Sequence, residues 1–202
     1  MNNQTDAKGI FKKTWPHIVR ECRQVLGSEL HYQAMIYHCL RQTGKVPIDQ
    51  IGMNVKMWID HPKTKLFRMY DGEKHPDFQG GFEPIPDVVL FKPSVNRDWR
   101  RRNHENTLRK MLMTIEVKAS ERNEGRMRPG ELISDIEKLE ALRQEVRLRD
   151  ASVVPVMLII DTAPDEEERM VPGSLDQVCD FAKSVDVGLF YLSPKETREE
   201  KW

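Results

Sequence analysis

Cysteine is scarce and scattered. The 202-residue chain holds three, Cys22, Cys39 and Cys179, far apart and odd in number. That argues against a disulfide framework and against a paired-cysteine zinc site. Each falls in a segment with helical periodicity, where a free thiol behaves as a small core residue. Long apolar runs are missing as well; none approaches the ~18 residues of a membrane span. The opening Met-Asn-Asn-Gln-Thr-Asp lacks the charged-then-apolar layout of a secretory signal, so a cytoplasmic location is expected. There is no surplus of either charge, with 32 basic and 32 acidic residues. Any affinity for nucleic acid must therefore come from a local patch. No glycine-rich phosphate loop and no Gly-x-Ser-x-Gly elbow occurs, which removes support for P-loop nucleotide hydrolases and serine hydrolases. The histidines show no metal-ligand spacing; His31 and His38 read as helix-surface or core residues, and His75 has no assignment.

What is present reads as one globular α/β domain over residues 1–202, with its core at about 14–194 and polar tails. Thr14 and Pro16 mark the start of a first helix, predicted over 14–26 with Val19, Cys22 and Val25/Leu26 on one stripe. Ser28 caps a second over 29–42, where Leu30, Met35, Tyr37 and Leu40 supply apolar surface. A strand is predicted at 51–60. The polar segment 61–83 shows no clear periodicity, and segments of that kind are often functional; a recognition insertion and a strand pair are the two readings. Strands follow at 87–91 and 110–119, with a basic loop between them at 96–106. A helix at 131–149 carries Leu132, Ile136, Leu139, Leu142 and Val146 at helical spacing. A strand at 153–160, a helix from Ser174 to about 185, a strand at 187–192 and a charged tail complete the chain. A hairpin-like front half and a crossover back half imply a mixed central sheet flanked by helices.

Three residues stand out. Asp87 opens the apolar run Val88-Val89-Leu90-Phe91, and Glu116 and Lys118 close the run Met111-Leu112-Met113-Thr114-Ile115. A charge at the end of a core strand needs a reason, because an unpaired buried charge costs several kcal/mol, on that order. Strand alternation points Met113, Ile115 and Val117 one way and Thr114, Glu116 and Lys118 the other. Chance was weighed by context. A carboxylate two residues before lysine occurs at Asp6/Lys8, Glu116/Lys118 and Glu199/Lys201, and only the middle pair ends an apolar strand. Pro-Asp occurs at Pro76, Pro86 and Pro164, and only Pro86-Asp87 begins one. Two carboxylates and a lysine at neighbouring strand ends can hold a divalent metal and a water, the equipment for phosphodiester hydrolysis.

With these motifs on consecutive strands in this order, the chain resembles the PD-(D/E)XK nuclease superfamily, which includes many type II restriction enzymes. The resemblance runs from the helix at Glu29 to the last strand. It implies a restriction-endonuclease-like fold and a DNA endonuclease using magnesium, with manganese able to replace it. Asp87 is then the central metal ligand, joined by Glu116 and the Val117 carbonyl. Lys118 sits beside the attacking water, and Glu29 adds an acidic group from the first core helix, with Glu21 as competitor. Asp135-Ile136-Glu137-Lys138-Leu139 resembles the polar helix that follows the catalytic lysine in related nucleases, and Lys138 is the expected contributor.

One strong basic cluster, Arg97, Arg100, Arg101 and Arg102 around Trp99, lies between the motif strands and is expected near the site. Arginines clamp phosphates, and Trp99 offers a ring for a base. A homodimer would supply two sites for cutting two strands. Two rivals remain at this level. One is an inactive nuclease-like module that binds nucleic acid or assembles with a partner. The other is a metal-dependent phosphodiesterase for small substrates.

Overall fold

The protein was analysed as a computed structural model that describes residues 1–120 and 126–200. Lys201, of the third carboxylate–lysine pair, lies outside the described residues. The chain forms helices α1 (Gln4–Cys22) and α2 (Glu29–Gln42), then strands β1 (Ile51–Met53) and β2 (Ile59–Asp60). Helix α3 (Lys65–Gly72), strands β3 (Gly81–Phe82) and β4 (Val88–Phe91), helix α4 (His104–Lys110) and strand β5 (Met111–Ala119) follow. The back half contains α5 (Pro129–Arg147), β6 (Val154–Ile160), α6 (Pro172–Ser184), β7 (Gly188–Leu192) and β8 (Thr197–Glu200).

The central sheet has six strands in the order β1-β4-β5-β6-β7-β8. β1, β4 and β5 are antiparallel neighbours, β5, β6 and β7 are parallel, and β8 returns antiparallel to β7. The sheet is therefore mixed, as the sequence order implies. Helices α1 and α2 cover one face, burying Phe11, Ile18 and Ile36 against Met113, Ile115 and Val117. Helices α5 and α6 cover the other face, where Leu132, Ile136 and Val178 meet Met157, Ile159 and Leu189. Buried on both sides, β6 has no polar face, which is why its sequence is a continuous apolar run. Among the described residues no helix is long and apolar enough to cross a membrane.

Several boundaries differ from the sequence reading. α1 begins ten residues before Thr14, where the Asn3 side chain accepts the Asp6 N–H at 2.9 Å, and Pro16 lies inside the helix. An interior proline costs about 3 kcal/mol. Burial of Phe11, Trp15 and Ile18 offsets it, each large apolar side chain contributing about 1.5–3 kcal/mol. The helix ends at Cys22, leaving Val25 and Leu26 exposed. On α2 the buried face is Tyr32, Gln33, Ile36, Cys39 and Leu40, and Leu30 points to solvent. The strand expected at 51–60 is broken after Met53, because Asn54 takes a left-handed conformation with φ 48°. The segment 61–83 contains α3 and ends in β3, which pairs with β2 in a separate two-stranded sheet. α6 starts at Pro172, with proline in its first turn in place of the Ser174 cap. The charged tail carries β8, an edge strand whose Thr197, Arg198, Glu199 and Glu200 suit a solvent-facing rim.

α3 is fastened to α5 by Glu145, which is fully buried. Its Oε1 accepts the backbone N–H groups of Lys63 at 2.7 Å and Thr64 at 2.6 Å, and the Arg149 guanidinium neutralises its charge. Glu145→Ala strands these groups, and breaking a buried pair costs about 3–5 kcal/mol. A fall in Tm of roughly 6–20 °C is expected, at about 2–4 °C per kcal/mol for a domain this size. Differential scanning calorimetry checks it.

Candidate active site

The antiparallel register pairs Val88 with Ile115. Asp87, one residue before β4, therefore lies beside Glu116 and Val117 on β5. The Asp87 carboxylate is nearly fully buried and held from two sides. Its Oδ2 accepts the Val117 N–H at 2.7 Å, and its Oδ1 accepts the Gln33 side-chain amide at 2.8 Å. Gln33 is itself oriented by the Asn54 amide, which donates to its Oε1 at 3.3 Å. The left-handed turn at Asn54 brings that residue here, and its backbone N–H also donates to the Asp87 carbonyl at 3.0 Å. Gln33→Ala is expected to cost about 1.5–3 kcal/mol, the usual value of a hydrogen bond to a charged group. Urea denaturation measures the loss.

Lys118 is the hub. Its ammonium lies 3.4 Å from Glu29, 3.6 Å from Glu116 and 3.6 Å from Asp135. Glu29 comes from α2 on one face of the sheet, and Asp135 from α5 on the other. Asp135 also pairs with Lys138 at 2.8 Å. Burial works against the Lys118 ammonium, but Glu116, Asp135, Glu29 and Asp87 outweigh it and hold its pKa above the ordinary lysine value. The acids pay the opposite penalty. Burial, then the nearby Asp87, push the Glu116 carboxyl well up. Burial also raises Asp87, reinforced by Glu29 and opposed by the Val117 N–H and Lys118. Among the described residues the cluster has Asp87, Glu116, Glu29 and Asp135 against Lys118 and Lys138, so full ionisation leaves four negative charges against two positive ones. Among the described residues no three His, Cys, Asp or Glu side chains are arranged as a metal cage. The geometry accounts for this, because Glu29, Glu116 and Asp135 converge on the ammonium.

Beside Glu116 a cleft of about 260 Å³ opens between α5 and the extended segment 82–86. Asp135 and Lys138 line it from the helix, and Glu83, Pro84 and Pro86 from the opposite side. Lys138 thus lines the cleft.

The structure brings together Asp87, Glu116, Lys118 and Glu29. It does not do so for the basic cluster. β4 and β5 are antiparallel, so the connection between them leaves β4 at the end opposite Asp87. Arg97 pairs with Asp49 just before β1, and Arg100 with its neighbour Asp98. Trp99 is stacked on Phe91 with ring centroids 5.5 Å apart and planes nearly parallel, so it serves packing under this loop. Arg102 is exposed. Only Arg101 reaches the cleft rim, where it contacts Glu83 at 2.5 Å and covers the Trp58 ring at 4.7 Å. The expected position of the cluster is corrected accordingly. The competitor Glu21 pairs with Arg20 at the surface.

Sequence reasoning missed Gln33 and Asn54, and from the element 135–139 it singled out Lys138 and not Asp135. Asp135 sits three residues after Leu132 and four before Leu139, and Gln33 three before Ile36. A polar residue on a buried helical stripe is the signal that could have found both.

Comparison with protein-family models, with curated proteins and with solved structures finds no match. The side-chain geometry alone carries the functional reading.

Proposed function

We propose that this protein is a magnesium-dependent nuclease of the PD-(D/E)XK type, with a restriction-endonuclease-like fold, that hydrolyses phosphodiester bonds in nucleic acid, DNA foremost. One observation carries the reading: Asp87, Glu116, Glu29 and Lys118 meet at the adjoining ends of β4 and β5, where ionised carboxylates outnumber the ammonium. A buried anionic surplus of this kind is costly unless a cation joins it. The available donors are carboxylate and carbonyl oxygens, which suit magnesium or manganese. Asp87, Glu116 and the Val117 carbonyl would hold the ion. When bound, it supplies Lewis acidity at the phosphoryl oxygens.

The chain's own groups do the rest. Gln33 and the Val117 N–H fix the Asp87 carboxylate, so it needs no reorganisation on binding. Lys118 is surrounded by carboxylates and keeps its proton. It therefore acts as a fixed positive charge for the developing phosphorane, not as a general base. Glu29 and Asp135 position that ammonium from opposite layers. Lys138 adds a second positive charge inside the cleft. Where duplex DNA is cut on both strands, a homodimer supplies the second site.

One observation favours a second reading, a binding module without chemistry: each Asp87 oxygen already accepts a hydrogen bond from the protein. The two readings separate on supercoiled plasmid and on a single-stranded oligonucleotide. Cleavage that requires magnesium or manganese and stops with a chelator supports the nuclease. Binding without cleavage in either ion supports the module.

A further inference from the structure

The cleft beside Glu116 has an apolar half that the chemistry above does not use. One wall is the segment 82–86, which contributes the apolar Phe82, Pro84, Ile85 and Pro86 and the single charge of Glu83. Phe82 is fixed in place, its ring stacked on Phe67 at 4.5 Å and flanked by Tyr70 at 5.4 Å. Ile85 lines the cleft and is 44% exposed. A lone exposed isoleucine needs no explanation. This one continues a wall that faces Lys138 and adjoins the carboxylates Glu116 and Asp135. At the rim Arg101 compensates the Glu83 carboxylate, which removes a charge that would repel a phosphate.

An apolar wall next to a phosphate-processing cluster matches a nucleotide: a flat ring for the wall, a phosphate for the charged end. The cleft, at about 260 Å³, is smaller than the ~300–1,000 Å³ typical of drug-sized ligands. It takes one base, not a base pair. A base within a duplex reaches such a recess only by leaving the stack, which costs its pairing and stacking energy. A single strand offers its bases already free. We propose that this cleft is a subsite for one unstacked nucleobase adjoining the scissile phosphate, and that single-stranded nucleic acid is the substrate class of the site. The proposal rests on the nuclease reading and narrows it.

The test uses the full chain with magnesium and one oligodeoxynucleotide, presented single-stranded and annealed to its complement. The single strand is expected to be cut at least about tenfold faster, because the duplex must first free a base from its stack. Abasic residues are then walked along the single strand. One position next to the cleaved bond is expected to slow cleavage about tenfold. Ile85→Ala, at an exposed position, is expected to cause the same loss on the intact strand and no further loss on that abasic strand, the mark of two partners in one contact. Equal rates on single strand and duplex, with abasic sites tolerated throughout, overturn the proposal. A single-strand preference that Ile85→Ala leaves intact overturns its assignment to this cleft. No cleavage of any form in magnesium or manganese is a different failure, which removes the nuclease reading and this subsite with it.

Discussion

Lys118→Ala is expected to lower the rate of metal-dependent cleavage by about 10²–10³-fold, the usual cost of removing one preorganised charge from a developing oxyanion. Binding of the ion should survive and even tighten. The variant keeps Asp87 and Glu116, and it frees Glu29, Glu116 and Asp135 from the ammonium they now share. Single-turnover cleavage and magnesium titration calorimetry read the two effects separately. Asp87→Asn should do the reverse, losing affinity for the ion first and cleavage as a result. The control is Arg102→Ala, whose side chain lies on the exposed connection that leaves β4 at the end opposite Asp87. Its cleavage should be within about twofold of the wild type, in line with the small effects of substitutions away from packed or charged networks. Activity retained by both Lys118→Ala and Asp87→Ala would reject the roles assigned to them.

Glu116→Gln is expected to raise the stability of the ion-free protein while eliminating cleavage. In the native state Glu116 and Asp87 bind protons more tightly than an ordinary carboxyl, because of burial and neighbouring carboxylates, Asp87 for Glu116 and Glu29 for Asp87. A group with a raised native pKa contributes stability below its unfolded value, near 4 for these acids. That contribution is lost as pH rises through the native value, which for Glu116 is about 8. The Tm of the ion-free wild type should therefore fall between about pH 5 and 8, and the fall should be smaller in Glu116→Gln. Magnesium should reverse it. An ligand at a hundred times its Kd stabilises by about 2.7 kcal/mol. At about 2–4 °C per kcal/mol that is roughly 5–10 °C in Tm, larger at pH 8 than at pH 6 and much reduced in the variant. Differential scanning fluorimetry over pH, with magnesium and with chelator, gives all four curves. Parallel pH profiles for wild type and variant, with no response to magnesium, would remove the ion from this site.

The sequence was most legible where one face is buried and the other carries charge. On β5 alternation placed Met113, Ile115 and Val117 on one side and Glu116 and Lys118 on the other, and the structure keeps that division. Asp87 was legible for the same reason, as a charge at the lip of an apolar strand. The first half of α1 was not, because Pro16 looks like a helix start and only tertiary burial of Phe11 and Trp15 shows that it is interior. β8 was hidden because an edge strand carries charges in place of an apolar pattern. Asp135 and Gln33 were passed over because a polar residue on a helix reads as solvent-facing by default. The basic loop was misplaced by a different error: nearness in sequence to both motifs says nothing about which end of an antiparallel pair a connection occupies.

Lys118 is gripped from both layers of the molecule, by Glu29 of α2 and by Asp135 of α5. A half-built chain, with its sheet formed and only one helical layer docked, has no means of assembling that arrangement. The proposed chemistry would thus need both helical layers in place, and a partly melted copy would be expected to lack it.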